Sequence, residues 1–164
     1  MTRPLRVSDS IDIDAPAAAI YREVADPAQM GRWSPENQGT RDASRGPLAV
    51  GDRFVGRNKR GAARWSTTCV VTAADPGQRF AFRVVRIGPV RPLISAPIAT
   101  WEYTFEPTAG GTRVTETWQD DRTRWPDALA ARFDRLVTGG RLFHEFQAGN
   151  IRRTLARLKA DLEG

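Results

Sequence analysis

A carboxylate stands among apolar residues in the segment TRVTETWQDD, residues 112–121. The strict alternation of this segment predicts a β-strand in which Val114, Glu116 and Trp118 share one face. Because the opposite face is polar throughout, the face with Val114 and Trp118 should be the buried one. A carboxylate in such surroundings is paired with a cation, is protonated, or serves a bound ligand.

Three interpretations of Glu116 follow from this placement. The side chain could be structural, either pairing with Arg86, which strand alternation places on the same inward face, or lying near the rim of the sheet and reaching water. It could also position a ligand by accepting a hydrogen bond from a hydroxyl or an amine. Finally, an apolar wall that raises its pKa could make it a general acid or base. Glu116, Arg86 and Tyr103 are therefore the candidate catalytic residues, although no specific catalytic motif surrounds them.

These residues must be positioned by an ordered series of short elements. A first strand is expected in VSDSIDIDAP, then two short helices in AAAIYREVAD and PAQMGRW, and a weaker strand signal in NQGTRDASR. Four stronger strands follow, in RFVGRNKRG, RWSTTCVVTAA, QRFAFRVVRI and IATWEYTFEP. GPVRPLISAP is predicted to be a loop, and the glycines of TAGG predict a hairpin turn into the Glu116 strand.

The chain is expected to end in two helices. DALAARFDRLV predicts a short helix, and Gly139-Gly140 is either a plain break or a hinge that lets this helix act as a lid. RLFHEFQAGNIRRTLARLKADLE predicts a long amphipathic helix with Ile151, Leu155, Leu158 and Leu162 on one face. A sheet covered on one face by helices is an α+β arrangement.

The inward faces of the predicted strands are rich in aromatic residues and carry a few polar groups. Mostly apolar walls with a few placed polar atoms are typical of a ligand pocket. The predicted ligand-binding residues on the strands are Phe54, Asn58, Trp65, Thr67, Cys69, Phe80, Phe82, Val84, Arg86, Trp101, Tyr103, Glu116 and Trp118. Phe143 and Gln147 join them from the long helix. Trp125 is expected near the pocket mouth.

Composition excludes several classes of function. The net charge of +6 comes almost entirely from arginines scattered along the chain without interleaved aromatic residues, so no nucleic-acid partner is expected. With one cysteine, Cys69, and one histidine, His144, we expect no disulfide, no metal site and no cofactor. No apolar run approaches the ~20 residues of a membrane span, and no signal-peptide stretch opens the chain. A cytoplasmic protein that does not insert into membranes is therefore predicted.

The order of elements and several motifs resemble the SRPBCC superfamily of START-like, birch-allergen-like helix-grip domains, and in particular its bacterial polyketide cyclase/dehydrase-type branch. The motifs are IDIDAPAAAIYREVADPAQMGRWSP, VGDRFVGRNKRGAARWSTTCVVTAADPGQRFAF, WEYTFEPTAGGTRVTETW and NIRRTLARLKADLE. The resemblance spans essentially the whole chain. It implies a single domain over residues 1–164, in which a seven-stranded curved antiparallel sheet grips the long C-terminal helix with a pocket between them.

The resemblance leaves three functions open. The first is binding of a small hydrophobic ligand, such as a lipid, a polyketide or an isoprenoid-like molecule. The second is a cyclase, aromatase or dehydratase acting on a polyketide-like chain. The third is a regulatory or toxin-like interaction module. A monomer or a homodimer suits each of them.

Overall fold

The computed structural model describes residues 2–41 and 46–164, and its elements follow the predicted order. The strands are β1 Arg6–Ile13, β2 Asn37–Arg41, β3 Arg53–Arg60, β4 Ala63–Asp75, β5 Arg79–Gly88, β6 Ile94–Thr108 and β7 Gly111–Asp120. The helices are α1 Ala17–Val24, a 3-10 helix Pro27–Arg32, α2 Asp127–Thr138 and α3 Phe143–Glu163. The predicted second strand extended over residues 37–45, and its last four residues lie outside the described ranges.

One sheet contains all seven strands in the order β1-β7-β6-β5-β4-β3-β2, and every neighbouring pair is antiparallel. The first strand pairs with the last, so β1 and β2 are the two edge strands of the sheet. Register shifts interrupt the β2–β3, β4–β5 and β5–β6 pairs, and such bulges bend and twist a sheet. The predicted α+β helix-grip fold is confirmed.

The hairpin between β6 and β7 requires glycine at position 111. Its φ is +146°, and a Cβ there would lie 2.1 Å from the carbonyl oxygen of Ile13. The close approach of β1 to this hairpin therefore depends on the absence of a side chain. This close contact between Gly111 and Ile13 helps to hold β1 beside β7 in the register that pairs Asp9 with Glu116.

The buried face of α3 changes character along its length. The buried polar residues Gln147, Asn150 and Thr154 begin nearer its start, whereas the buried apolar residues Ile151, Leu155 and Leu158 extend further toward its end, and the two sets overlap at Ile151 and Thr154. The apolar part packs with α1 and the sheet into a closed core at one end of the molecule. The polar part faces a cavity at the other end.

One loop is shorter than predicted. GPVRPLISAP, residues 88–97, was expected to be entirely loop, but β6 already begins at Ile94. Ile94 pairs with Ile87 and Ser95 with Arg86. Pro97 is tolerated inside the strand because it falls within the register shift between the Arg86 and Val84 pairs, where the ladder does not need its missing N–H.

Candidate functional site

A cavity of about 610 Å³ lies between the concave face of the sheet, α2 and the first half of α3. This volume is within the range of small-molecule sites. Its wall contains nearly all residues predicted to contact a ligand: Phe54, Asn58, Trp65, Thr67, Cys69, Phe82, Val84, Trp101, Tyr103, Glu116, Trp118, Phe143 and Gln147. Trp125 also lines it, as expected for a residue near the mouth.

Phe80 is not part of this wall. Its side chain is fully buried, and its ring meets the edge of Tyr21 from α1 at a centroid distance of 6.3 Å. Strand alternation correctly places Phe80 on the inward face. However, α1 fills the space above that end of the sheet, so an inward-facing side chain at this position packs into the core and does not reach the cavity.

Arg86 is also absent from the wall, and the prediction that it pairs with Glu116 is wrong. Thr68 of β4 pairs with Arg86 whereas the next residue, Cys69, pairs with Val84, so Val85 is an extra residue in β5. An inserted residue turns every following side chain to the opposite face. Val84 is consequently buried and Arg86 is exposed on the outer face.

Glu116 instead forms a buried pair with Tyr103. The two residues are direct register partners on β7 and β6, and the Tyr103 hydroxyl donates a 2.8 Å hydrogen bond to Glu116 Oε1. The Glu116 side chain is buried, and Oε2 has no hydrogen-bond partner among the groups that the structure describes. Glu116 is therefore an incompletely satisfied carboxyl in the wall of a mostly apolar cavity.

The surroundings of this pair keep both groups protonated at neutral pH. Burial raises the pKa of Glu116 to about 8, although the hydrogen bond from Tyr103 acts in the opposite direction. Burial, and then the proximity of Glu116, raise the pKa of Tyr103 well above its ordinary value. Because Tyr103 donates to Oε1, the acid proton of Glu116 belongs on Oε2. The unpartnered atom is thus a hydrogen-bond donor near pH 7.

A second polar part of the wall joins Glu36 and Arg60. Arg60 Nε donates to Glu36 Oε1 at 2.6 Å, and its guanidinium stacks on the rings of Trp65 and Phe146 at 5.2 and 4.0 Å. Burial raises the pKa of Glu36 despite the opposing effect of Arg60. Sequence analysis missed this pair, although continuing the alternation from Asn58 would have placed Arg60 inward.

A third charged group fixes α2 over the cavity. Arg122 lines the cavity and donates to both oxygens of Asp120, at 2.9 and 2.7 Å, and to Asp134 of α2 at 2.8 Å. Asp134 also accepts the backbone N–H of Phe143 at 3.0 Å. These bonds connect the end of β7, α2 and the start of α3. Sequence analysis missed Arg122 because it lies beyond the alternating strand.

The chain has one thiol, that of Cys69, and one imidazole, that of His144. Cys69 lines the cavity, but burial raises the pKa of its thiol to about 12, which leaves it protonated and a poor nucleophile. His144 follows Phe143 on α3 and is not part of the cavity wall. Neither residue supports a Cys/His catalytic pair.

A curved sheet that grips a helix around an apolar cavity with a buried acid defines a helix-grip protein of the SRPBCC superfamily. The chain belongs to the polyketide cyclase/dehydrase and lipid transport family, which it matches over residues 4–163. The resemblance inferred from the sequence motifs is therefore confirmed.

Solved structures of similar proteins support the same fold. Protein CV1439 from Chromobacterium violaceum superimposes with a TM-score of 0.68 at 15% identity, covering 98% of this chain and 99% of that one. The polyketide-cyclase-like protein Cgl2372 from Corynebacterium glutamicum has a TM-score of 0.55 at 28% identity, with coverages of 99% and 94%. DynU16, a protein of the dynemicin biosynthetic locus, has a TM-score of 0.61 at 18% identity, covering 98% of this chain and 48% of that one.

No curated protein matches the sequence. Within residues 2–41 and 46–164, the structure contains no helix with the length and apolarity needed to cross a membrane.

Proposed function

We propose that the protein binds a small hydrophobic ligand that carries a polar group at the position of Glu116. The observation that supports this most directly is the unpartnered Oε2 of that buried carboxyl in the cavity wall. A sealed core would have no reason to leave such a group unsatisfied, since an unmade buried hydrogen bond costs roughly 1–3 kcal/mol. A ligand that reaches Oε2 restores the bond.

The wall also limits the chemistry of the ligand. Trp65, Phe82, Trp101 and Trp118 offer large apolar faces, which suit a lipid, a polyketide or an isoprenoid-like molecule. With Glu116 protonated at neutral pH, the favoured polar group is a hydrogen-bond acceptor such as a carbonyl or an ether oxygen. An anionic group in direct contact with Oε2 is disfavoured once Glu116 ionises, because like charges repel.

Binding is tested by native mass spectrometry of freshly purified protein, followed by titration of any co-purified ligand into Glu116→Leu. Leucine keeps much of the side-chain volume but cannot donate to the ligand, and we expect at least roughly tenfold weaker binding from the lost hydrogen bond. Glu102→Leu is the matched control. Glu102 neighbours Tyr103 on β6 but pairs with Arg79 on the outer face. Equal affinities of the two variants would contradict the proposed role of Glu116.

A second candidate function is acid–base catalysis on a polyketide-like chain. It is favoured by the same raised pKa of Glu116, since a pKa near the working pH suits a general acid or base. Tyr103, hydrogen-bonded to Glu116, would orient the carboxyl.

Turnover separates catalysis from binding alone. If the protein is a cyclase, an aromatase or a dehydratase, Glu116→Gln should lower kcat by roughly 100-fold or more while the bound ligand is still detected. The kcat of Glu102→Gln should match that of the wild type. Undiminished turnover by Glu116→Gln would assign catalysis elsewhere.

A further inference from the structure

The exposed large apolar side chains are concentrated in two segments. One is the β5–β6 loop with the start of β6, and the other is α2. Their members are Val90, Leu93 and Ile94 in the first, and Leu129, Phe133, Leu136 and Val137 in the second. Leu93 is 76% exposed and Leu136 is 82% exposed, so neither contributes to the folded core. Clustered apolar exposure of this kind marks an interaction surface.

Both segments border the opening of the cavity. Ile94 and Leu136 line the cavity and are nevertheless largely exposed, so the cavity reaches solvent between the loop and α2. We refer to Val90, Leu93, Ile94, Leu136 and Val137 as the apolar rim. Anything that covers this rim also covers the route by which a ligand enters.

Positive charge surrounds the apolar rim. A depression of about 450 Å³ next to the loop is lined by Arg41, Arg57 and Arg64, together with Pro89 and Val90, and none of the described residues in its lining is a carboxylate. Arg91 is exposed within the loop itself. In the described part of the chain, no acidic side chain forms an ion pair with Arg57, Arg64 or Arg91.

The outer side of α2 also carries an excess of positive charge. Its two carboxylates are engaged elsewhere, since Asp127 pairs with Arg3 and Asp134 with Arg122. Arg132 and Arg135 of α2 remain exposed. Apolar side chains flanked by cations are complementary to a bilayer that contains anionic lipids, where the chains enter the acyl boundary and the cations meet phosphates.

We propose that the cavity mouth docks on the surface of an anionic lipid bilayer. The apolar rim enters the headgroup boundary, and Arg57, Arg64 and Arg91 bind lipid phosphates. A hydrophobic ligand can then pass between bilayer and cavity without crossing water. No helix needs to span the membrane, because only side chains enter it. Docking goes beyond the proposed function, since it does not depend on which ligand the cavity holds.

Vesicle flotation tests this proposal on the full chain. Vesicles of phosphatidylcholine alone are compared with vesicles in which roughly one third of the lipid is phosphatidylglycerol. The wild type should bind the anionic vesicles, and binding should weaken as salt is added. Val90→Gln with Leu93→Gln should lower the partition coefficient by roughly tenfold or more. Val50→Gln, which changes a valine that is 63% exposed outside the rim, should have no effect.

The contribution of charge is tested with a second pair of variants. Arg57→Gln with Arg91→Gln should lower partitioning roughly 10- to 30-fold, given about 1 kcal/mol for each arginine near an anionic surface. Arg6→Gln with Arg157→Gln removes the same charge from exposed positions outside the cavity lining and should have a markedly smaller effect.

Several results would overturn docking. These are equal binding to both kinds of vesicle, no binding to either, and losses in the control variants as large as those in the test variants. Light scattering that shows a dimer dependent on Leu93, without vesicle binding, would assign the apolar rim to a second copy of the chain. Ligand titration without vesicles distinguishes this failure from failure of the proposed function, because rim variants should retain affinities that Glu116→Leu lacks.

Discussion

Replacing Arg122 with methionine should lower the melting temperature by roughly 10 °C. The Arg122 side chain is only 1% exposed and is the shared partner of Asp120 and Asp134. Removing it leaves two buried carboxylates, and Asp120 then retains only Arg3 as a counter-charge among the described residues. Loss of one member of a buried ion pair typically costs about 3–5 kcal/mol. Circular dichroism melts at neutral pH measure the effect.

The matched control is Arg32→Met. Arg32 also bridges two carboxylates, Glu23 and Asp161, but its side chain is 41% exposed. Exposed pairs contribute at most about 1 kcal/mol, so this variant should melt within a few degrees of the wild type. Adding Asp120→Asn and Asp134→Asn to Arg122→Met should recover part of the loss. Equal destabilisation by Arg32→Met and Arg122→Met would contradict the special role of the buried cluster.

The Arg122 effect should also depend on pH. Burial alone would raise the pKa of Asp120, but the hydrogen bonds from Arg122 outweigh burial and leave this pKa below its ordinary value. A carboxyl whose pKa is lowered by folding stabilises the native state above its unfolded pKa, and this contribution disappears in acid. The deficit of Arg122→Met should therefore be largest at neutral pH and shrink as Asp120 becomes protonated.

Glu116→Gln should become increasingly more stable than the wild type as the pH rises. Folding raises the pKa of Glu116 from 4.5 to about 8, so between these values the unfolded chain releases a proton that the native state retains. This group therefore destabilises the native state progressively from pH 4.5 upward, and its effect levels off above pH 8. At one pKa unit per ~1.4 kcal/mol, the total is roughly 3–5 kcal/mol.

Urea unfolding of both proteins at acidic, neutral and alkaline pH measures this difference. Taking the difference between variant and wild type cancels the other titrating groups that the two proteins share. Glu102→Gln, on the outer face, should show no comparable dependence on pH. The buried acid is disproved as the origin if Glu116→Gln is no more stable than the wild type in alkaline solution.

Local pattern was sufficient for most of the fold and for part of the site. Alternation of period two placed Trp65, Trp101 and Glu116 on the inward face, because the strand register runs without a shift over the stretches that contain them, residues 63–70, 99–108 and 111–120. Helical spacing located α3 and its apolar face. These features depend on residues close together in the chain, which is where periodicity carries information.

The errors arose where distant segments decide the structure. The extra residue at Val85 is defined by pairing with β4, so nothing within β5 itself shows that Arg86 turns outward. Phe80 differs from Phe82 only in having α1 above it. Arg122 and Glu36 lie outside any repeating pattern. The role of Arg122 depends on α2, which packs over the sheet, and that of Glu36 depends on Arg60 at the end of β3.

The buried polar and the buried apolar residues of α3 give one helix two separate tasks. Ile151, Leu155 and Leu158 anchor the helix in the closed core, whereas Gln147, Asn150 and Thr154 contribute to the cavity wall without filling it. Substitutions at the second set can reshape ligand preference while the anchoring set preserves the fold. Ligand specificity can therefore change, by evolution or by engineering, through the cavity-lining residues of α3 while its core residues keep the protein folded.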